Sequence, residues 1–305
     1  MIKRLPWSEP FLDNFSEDKR KQNALLCSTV DITEQELNSG RPIILFEKRD
    51  GANIARRDLL KHKNVVRYVK QYAYRNQGTN NEPCIGGRYF TQYISEKKDW
   101  VAVEQIEKKD LDKITLGWNF LHYYRNQKFI YREPDWKQKR DIDVFFAGTT
   151  EYKNGEGGGG YYINNHRKAC VNAIRNAVNE LEGISIRVAD SRALKPAEYE
   201  DTMYRSKLVV SPWGWGEACY RDYEGLLAGC VVIKPRSDFV ISSPDIFRGG
   251  YFVYCKPDWS DLKEKIEEGL KLSKNIDLLK LHRKNILPFT EKEYLKNLIK
   301  KLCEY

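Results

Sequence analysis

The sequence lacks most of the features that place a chain in a class at once. No apolar run approaches the ~20 residues that span a bilayer; the longest covers only 226–233. The first ten residues, Met1-Ile-Lys-Arg-Leu-Pro-Trp-Ser-Glu-Pro10, have no apolar core of the kind a secretory signal needs. A soluble, cytoplasmic protein with no integral membrane segment is therefore expected. The seven cysteines (27, 84, 170, 219, 230, 255 and 303) are scattered, odd in number and never paired as CxxC. This suggests neither a disulfide framework nor a zinc ribbon. The four histidines (62, 122, 166 and 282) show no ligand spacing. Asp141-Ile-Asp143 and Asp110-Leu-Asp112 have the letters of an acidic metal pair, but one enters an apolar strand and the other a lysine-rich helix. No metal is expected on them. The net charge of +9 comes without an arginine-rich arm, a zinc-finger spacing or an aromatic RNA-binding signature. A solvated surface is favoured over a nucleic-acid footprint.

What is present is a foldable chain. Its 305 residues are 41% hydrophobic, 31% charged and 12% aromatic, enough to build a core and about two domains. The halves differ. Residues 1–138 are irregular and rich in Tyr, Lys and Asn. They contain one clear unit: the apolar strand Ile43–Phe46, a polar turn, and a stretch from Ala55 to about Tyr74 whose apolar residues are mostly helical in spacing, with a break near Asn64. Glu133–Arg140 is linker-like. Residues 139–285 are regular. Short apolar strands at 143–147, 184–188, 207–211, 231–234 and 252–254 alternate with helices at 166–181, 196–205, 218–227 and 259–272. That alternation implies a parallel α/β sheet, with ligands at the carboxyl ends of its strands. Residues 286–305 form a lysine-rich amphipathic helix. Packing of its Tyr294, Leu295, Leu298, Ile299 and Leu302 stripe on the N-terminal domain is favoured over an anionic membrane.

The segment Ser211-Pro-Trp-Gly-Trp-Gly-Glu-Ala-Cys-Tyr-Arg-Asp-Tyr-Glu224 carries the most chemistry. A buried strand ends at Ser211, and a loop with Gly214 and Gly216 allows close backbone approach. A helix then begins, whose free N–H groups and dipole attract phosphate. Arg221 and Glu224, three apart, share a helix face. Arg221 could grip a diphosphate bidentately and Glu224 could accept from ribose hydroxyls. A surface Arg/Glu pair beside a glycine turn fits the bare pattern equally well. Gly148, Thr149 and Thr150 close the preceding strand and offer further donors, while Arg167 opens the next helix. The glycine run 155–160 is no Walker loop and reads first as a mobile surface loop. Backbone near Arg192 lies at the next strand end and could read the base. No histidine is paired with Cys219, which favours a small buried residue over a nucleophile.

This segment resembles the donor-site motif of exostosin-like glycosyltransferases, in which a Ser-Pro and glycine-rich loop precedes an Arg-x-x-Glu helix and a Gly-Cys-Val-Val-Ile strand. The resemblance covers Asp143 to about Leu272 and is greatest to compact, chlorovirus-type xylosyltransferases that use UDP-xylose. It implies a GT-B fold: two Rossmann-like domains across a cleft, the N-terminal one binding the acceptor and the C-terminal one a nucleotide sugar. It further implies an inverting, metal-independent transferase acting on a glycan, with a fucose-containing one as a candidate, with UDP-sugar as substrate and no cofactor. Arg221 would hold the diphosphate and Glu224 the ribose. Donor contacts would come also from Gly148, Thr149, Thr150, Arg167, Arg192, Ser211, Trp213, Gly214, Trp215, Gly216 and Tyr220. Trp213 and Trp215 depart from the usual glycine loop. An inverting enzyme needs a general base on the acceptor side. Asp50, after the Ile43–Phe46 strand and before Gly51, is the first choice, with Glu47 and Asp58 as alternatives. The competing class is a noncatalytic nucleotide- or nucleic-acid-binding protein using the basic surface.

Overall fold

The structure is a computed structural model that describes residues 24–47, 49–96, 99–117, 127–152, 159–190 and 193–303. Its first half contains β1 (Leu25–Ser28), β2 (Ile43–Phe46), β3 (Val65–Lys70), β4 (Tyr72–Tyr74), β5 (Cys84–Ile85), β6 (Trp100–Val101) and β7 (Ile114–Leu116). Its second half contains β8 (Ile142–Gly148), β9 (Ile186–Asp190), β10 (Ser206–Val210), β11 (Val231–Pro235), β12 (Val240–Ser242) and β13 (Phe252–Cys255).

In the N-terminal half β1, β2, β3 and β7 make a four-stranded parallel sheet in that order. All four residues of β2 are buried, the signature of a strand covered on both faces. One expectation fails here. Only Arg57–Lys61 is helical within the stretch 55–74; the rest forms β3 and β4. Val65, Val66 and Val69 are β-branched, and Tyr68, Tyr72 and Tyr74 are aromatic, so the segment suits a pleated surface. Sheet partners on both sides, β2 and β7, then outweigh the helix-like spacing.

In the C-terminal half five parallel strands run in the order β13-β11-β10-β8-β9. Side chains alternate along β8: Val144 and Phe146 join one core with Cys170, Ile174 and Ile266, and Phe145 and Ala147 join the other with Tyr223 and Leu226. The helices lie at Gly159–Glu180, Pro196–Tyr204, Tyr220–Leu227 and Leu262–Leu272. From β8 the chain steps outward to the edge strand β9 and returns across β8 to β10. The direction of winding therefore reverses between β8 and β10, which is where open α/β sheets bind ligands.

Each half is thus a Rossmann-like α/β unit, and the two are tied together. β4 pairs antiparallel with β12, and Arg75 donates to the Asp238 and Val240 carbonyls and grips Asp245 at 2.8 and 3.1 Å. The linker-like segment is packed: Trp136 lies against the C-terminal core and Arg140 donates to the Ser206 and Ala228 carbonyls. The C-terminal helix, Lys292–Cys303, touches both halves. Its Tyr294 hydroxyl donates to the Gly117 carbonyl at 2.9 Å and pairs with Ser243, and Leu298 sits on Gly117. Among the described residues no helix is long and apolar enough to cross a membrane.

Candidate active site

The loop after β10 is held at both ends by one buried ion pair. Asp222 and Lys234, both fully buried, lie 2.9 Å apart. The same carboxylate accepts from the Ser211 hydroxyl at 2.5 Å, where the loop begins, and from the Cys219 amide at 2.8 Å, where it ends. The helix N-terminus offered to phosphate by the sequence is therefore already capped, by Asp222 in its own first turn. Between these ends Gly214 donates to the Gly216 carbonyl, which closes a tight turn. Trp213 points inward. It is fully buried, donates to Ser237 at 2.8 Å, and packs against Phe90 and His166. His166 stacks in turn on Trp259. Burial first, then Arg167 and Lys234, pushes His166 down to about 3, so this imidazole is neutral. Burial pushes the Cys219 thiol up, which keeps it protonated.

Positive charge gathers at the end of β8 instead. Arg221 comes from the helix after β10 and Arg167 from the helix after β8, so the topological switch brings them together. Both are nearly fully buried. Arg221 donates to the Ala147 carbonyl and lies over the Phe146 ring, 5.1 Å from its centroid. Arg167 donates to the Thr149 carbonyl at 2.6 Å and to the Tyr152 hydroxyl at 2.5 Å. A methyl group on Gly148 would collide with the Arg221 guanidinium and touch that of Arg167, so glycine is required for both to close on this backbone. Arg167 Nε and Arg221 Nε and Nη1 are buried without a partner among the described residues. Burial, then its neighbour Arg221, lowers the pKa of Arg167. Burial also acts against Arg221, but Tyr199, Cys219, Glu224 and Asp222 together outweigh it and leave that group above its ordinary value. Each buried orphan donor costs about 1–3 kcal/mol. Two arginines kept side by side with three such donors are a candidate anion site.

The facing wall comes from the N-terminal half. The loop after β2 meets the loop after β10. The Gly216 backbone packs on the Asp50 carbonyl so closely that any side chain there would overlap it, and Tyr72 also donates to that carbonyl. Arg88 donates to the Trp215 carbonyl at 2.7 Å and lies 5.3 Å from the Trp215 ring centroid. Tyr152 also packs on that ring, the two centroids 5.0 Å apart. Glu217 is 1% exposed and accepts from the Ala52 amide at 2.9 Å. Burial raises the pKa of Asp50, while Arg88 pulls it down. Burial likewise raises Glu217, against the Ala52 amide, Lys70 and Arg88. The Tyr152 phenol, itself raised by burial, feels Arg167, Arg221 and Asp50 together.

Of the three candidate bases, Asp50 is half-buried at this meeting of loops. Glu47 is buried and bonded to Lys70 at 2.7 Å and to the Ala55 amide, so its carboxylate is committed to the N-terminal core. Asp58 is exposed and paired with Arg56 at the start of a helix. The Thr149 carbonyl accepts from Arg167, and Thr150, next in the chain, is buried. Glu224 is buried and accepts from the Tyr199 hydroxyl. Tyr220 is half-buried against the core, and Trp215 is half-buried between Tyr152 and Arg88. Arg192 lies outside the described residues. Sequence reasoning passes over Tyr152, Arg88 and Glu217. Glu217 stands inside the key motif, but the other two lie in irregular segments where no spacing marks them. Among the described residues no cluster of three or more His, Cys, Asp or Glu could hold a metal ion.

Two parallel α/β units whose strand ends face each other make this a GT-B-like fold. No protein-family model and no curated protein sequence matches the chain. Solved structures it is similar to include TarM, with TM-score 0.46 and 11% identity over 86% of this chain and 55% of that one. A second is an alpha-glucosyltransferase in complex with UDP-glucose and DNA containing an abasic site, with TM-score 0.42 and 10% identity over 97% and 84%. A third is a putative UDP-N-acetylglucosamine 2-epimerase from Listeria monocytogenes, with TM-score 0.41 and 11% identity over 97% and 79%. The chain thus spans little more than half the length of TarM.

Proposed function

We propose that the protein is a glycosyltransferase that moves a sugar from a UDP-sugar to a hydroxyl of a glycan acceptor, with inversion and without a metal. The observation that carries this reading is the arginine pair. Arg167 and Arg221 converge at Gly148, nearly fully buried, with three donors unpartnered among the described residues. An anion with several oxygens, such as a diphosphate, would satisfy them. Asp50 lies on the other domain, where its loop meets the loop after β10. Burial makes it a stronger base than an ordinary aspartate. In the reaction Asp50 takes the proton of the acceptor hydroxyl, and the oxygen attacks the anomeric carbon. The bond from that carbon to the UDP oxygen breaks, and the charge released on the diphosphate falls on Arg221 and Arg167. A single displacement inverts the anomeric centre. The sequence resemblance favours xylose as the sugar.

The test is a hydrolysis and binding panel with UDP-, GDP- and CMP-sugars, run with and without EDTA. UDP should stabilise the chain against heat and only the UDP-sugars should turn over, EDTA having no effect. A chain that ignores UDP and UDP-sugars but is stabilised by single-stranded oligonucleotides would refute the reading.

A further inference from the structure

We propose that Glu217 is a positioning residue: it ties the Asp50 loop of the N-terminal domain to the loop after β10, so that nucleotide bound at the arginine pair is felt at Asp50. The tie stands on geometry; what Asp50 does with it rests on the transferase reading.

Three successive residues of the loop are gripped by the other domain. The Trp215 carbonyl accepts from Arg88 at 2.7 Å. The Gly216 backbone lies on the Asp50 carbonyl. The Glu217 carboxylate accepts from the Ala52 amide at 2.9 Å, two residues beyond Asp50. The first and third are charge-assisted hydrogen bonds, a guanidinium donating in one and a carboxylate accepting in the other, and in the third the charged side chain is only 1% exposed. The same loop reaches back to the anion site. The Trp215 ring packs on Tyr152, and the Tyr152 hydroxyl accepts from Arg167. Contacts and loop backbone therefore join Arg167, Tyr152, Trp215, Glu217 and Ala52, with Asp50 two residues further along. Drawing Arg167 toward a phosphate moves one end of this path. Without the Glu217 bond the far end loses the link made by a buried side chain of this loop, and Asp50 is no longer placed by nucleotide.

Glutamine can accept the same amide bond and alanine cannot, which separates the tie from a general loss of packing. Hydrogen exchange of the full chain would be followed on peptides covering 49–56, with and without UDP. In the parent UDP should slow this exchange. In Glu217→Ala exchange should rise roughly 10-fold or more without UDP, the equivalent of one lost charged hydrogen bond. It should also stop responding to UDP, while UDP affinity by calorimetry stays within roughly threefold. UDP release from UDP-xylose or UDP-glucose, whichever the parent turns over faster, should lose on the order of 10²-fold in kcat with KM little changed. Glu217→Gln should recover most of both effects. Unchanged exchange in Glu217→Ala overturns the tie. UDP affinity falling in step with kcat overturns the positioning role, since Glu217 would then belong to the nucleotide site. So does an unchanged kcat beside faster exchange. A parent that binds no UDP sinks the transferase reading instead, and the tie is then judged by the exchange of 49–56 without UDP, which must still rise in Glu217→Ala.

Discussion

Replacing Arg221 by methionine should leave the unliganded protein at least as stable as the parent while removing most of its stabilisation by UDP. The two halves of that statement come from the same atoms. In the parent Arg221 makes one hydrogen bond, to the Ala147 carbonyl, and leaves Nε and Nη1 buried and unpartnered among the described residues. It also stands next to Arg167, which it pushes toward the neutral form. Methionine forfeits the one bond, charge-assisted and worth about 1.5–3 kcal/mol, and some attraction to Asp222 and Glu224, but removes two orphan donors at about 1–3 kcal/mol each. Its flexible chain can still cover the Phe146 ring. The balance is about 0–2 kcal/mol in favour of the variant. With UDP the sign reverses. Two charge-assisted bonds to a diphosphate are worth about 3–6 kcal/mol together, a loss of roughly 10²- to 10⁴-fold in affinity. At UDP held at 100 times the parent's Kd, the parent gains about 2.7 kcal/mol; after a 100-fold loss of affinity the variant gains about 0.4 kcal/mol. Arg221→Lys should fall between, because it keeps the charge but not the fork. Denaturant melts of the three proteins, with and without UDP, read both quantities. A variant destabilised by more than about 3 kcal/mol without ligand would make Arg221 a structural residue, and a variant with the full UDP gain would empty the site of its ligand.

Asp50→Asn should bind UDP as the parent does and lose turnover by at least roughly 10²-fold. In the parent, kcat should fall as pH drops through a value above the 3.8 usual for aspartate, because burial raises the Asp50 pKa and the base must be unprotonated; an acid limb at or below 3.8, or an active Asn variant, removes Asp50 from the role. Lys234→Met leaves Asp222 charged and fully buried without its partner, and should cost about 3–5 kcal/mol in denaturant melts; a cost below about 1 kcal/mol would mean that the pair does not anchor the loop. Gly216→Ala places a methyl group on the Asp50 carbonyl, so turnover should fall while UDP affinity, set at the arginine pair, changes by less than roughly tenfold; an undisturbed kcat would show that the two loops need not touch.

The C-terminal sheet was legible because its central strands β8, β10 and β11 are short, largely buried apolar runs, and β8, β9, β10 and β13 are each followed by a helix. β3 was not, because Leu59, Leu60, Val65, Val66 and Val69 match a helical spacing nearly as well as a strand, and only the neighbours β2 and β7 decide. The site shows the same division. That Gly216 allows close approach can be read from its type. That the approaching group is the Asp50 carbonyl depends on a residue of the other domain. Trp213 and Trp215 are indistinguishable by position in the loop. One turns inward because Phe90, His166 and Ser237, contributed by three separate elements, line a slot for it; the other stays at the joint between Tyr152 and Arg88.

The place of the positive charge is the deeper case. A glycine loop followed by a helix suggests that phosphate should sit on the helix N-terminus. In this chain Asp222, in the first turn of that helix, accepts from the Cys219 amide and is locked there by Lys234 and Ser211. An anion at that end would have to displace a buried carboxylate and approach its negative charge. The chain instead spends that carboxylate on fixing the loop and moves the attraction for anions onto Arg221, one residue earlier, which with Arg167 reaches the end of β8. The helix dipole holds the scaffold, and on the function proposed above the arginine side chains hold the ligand.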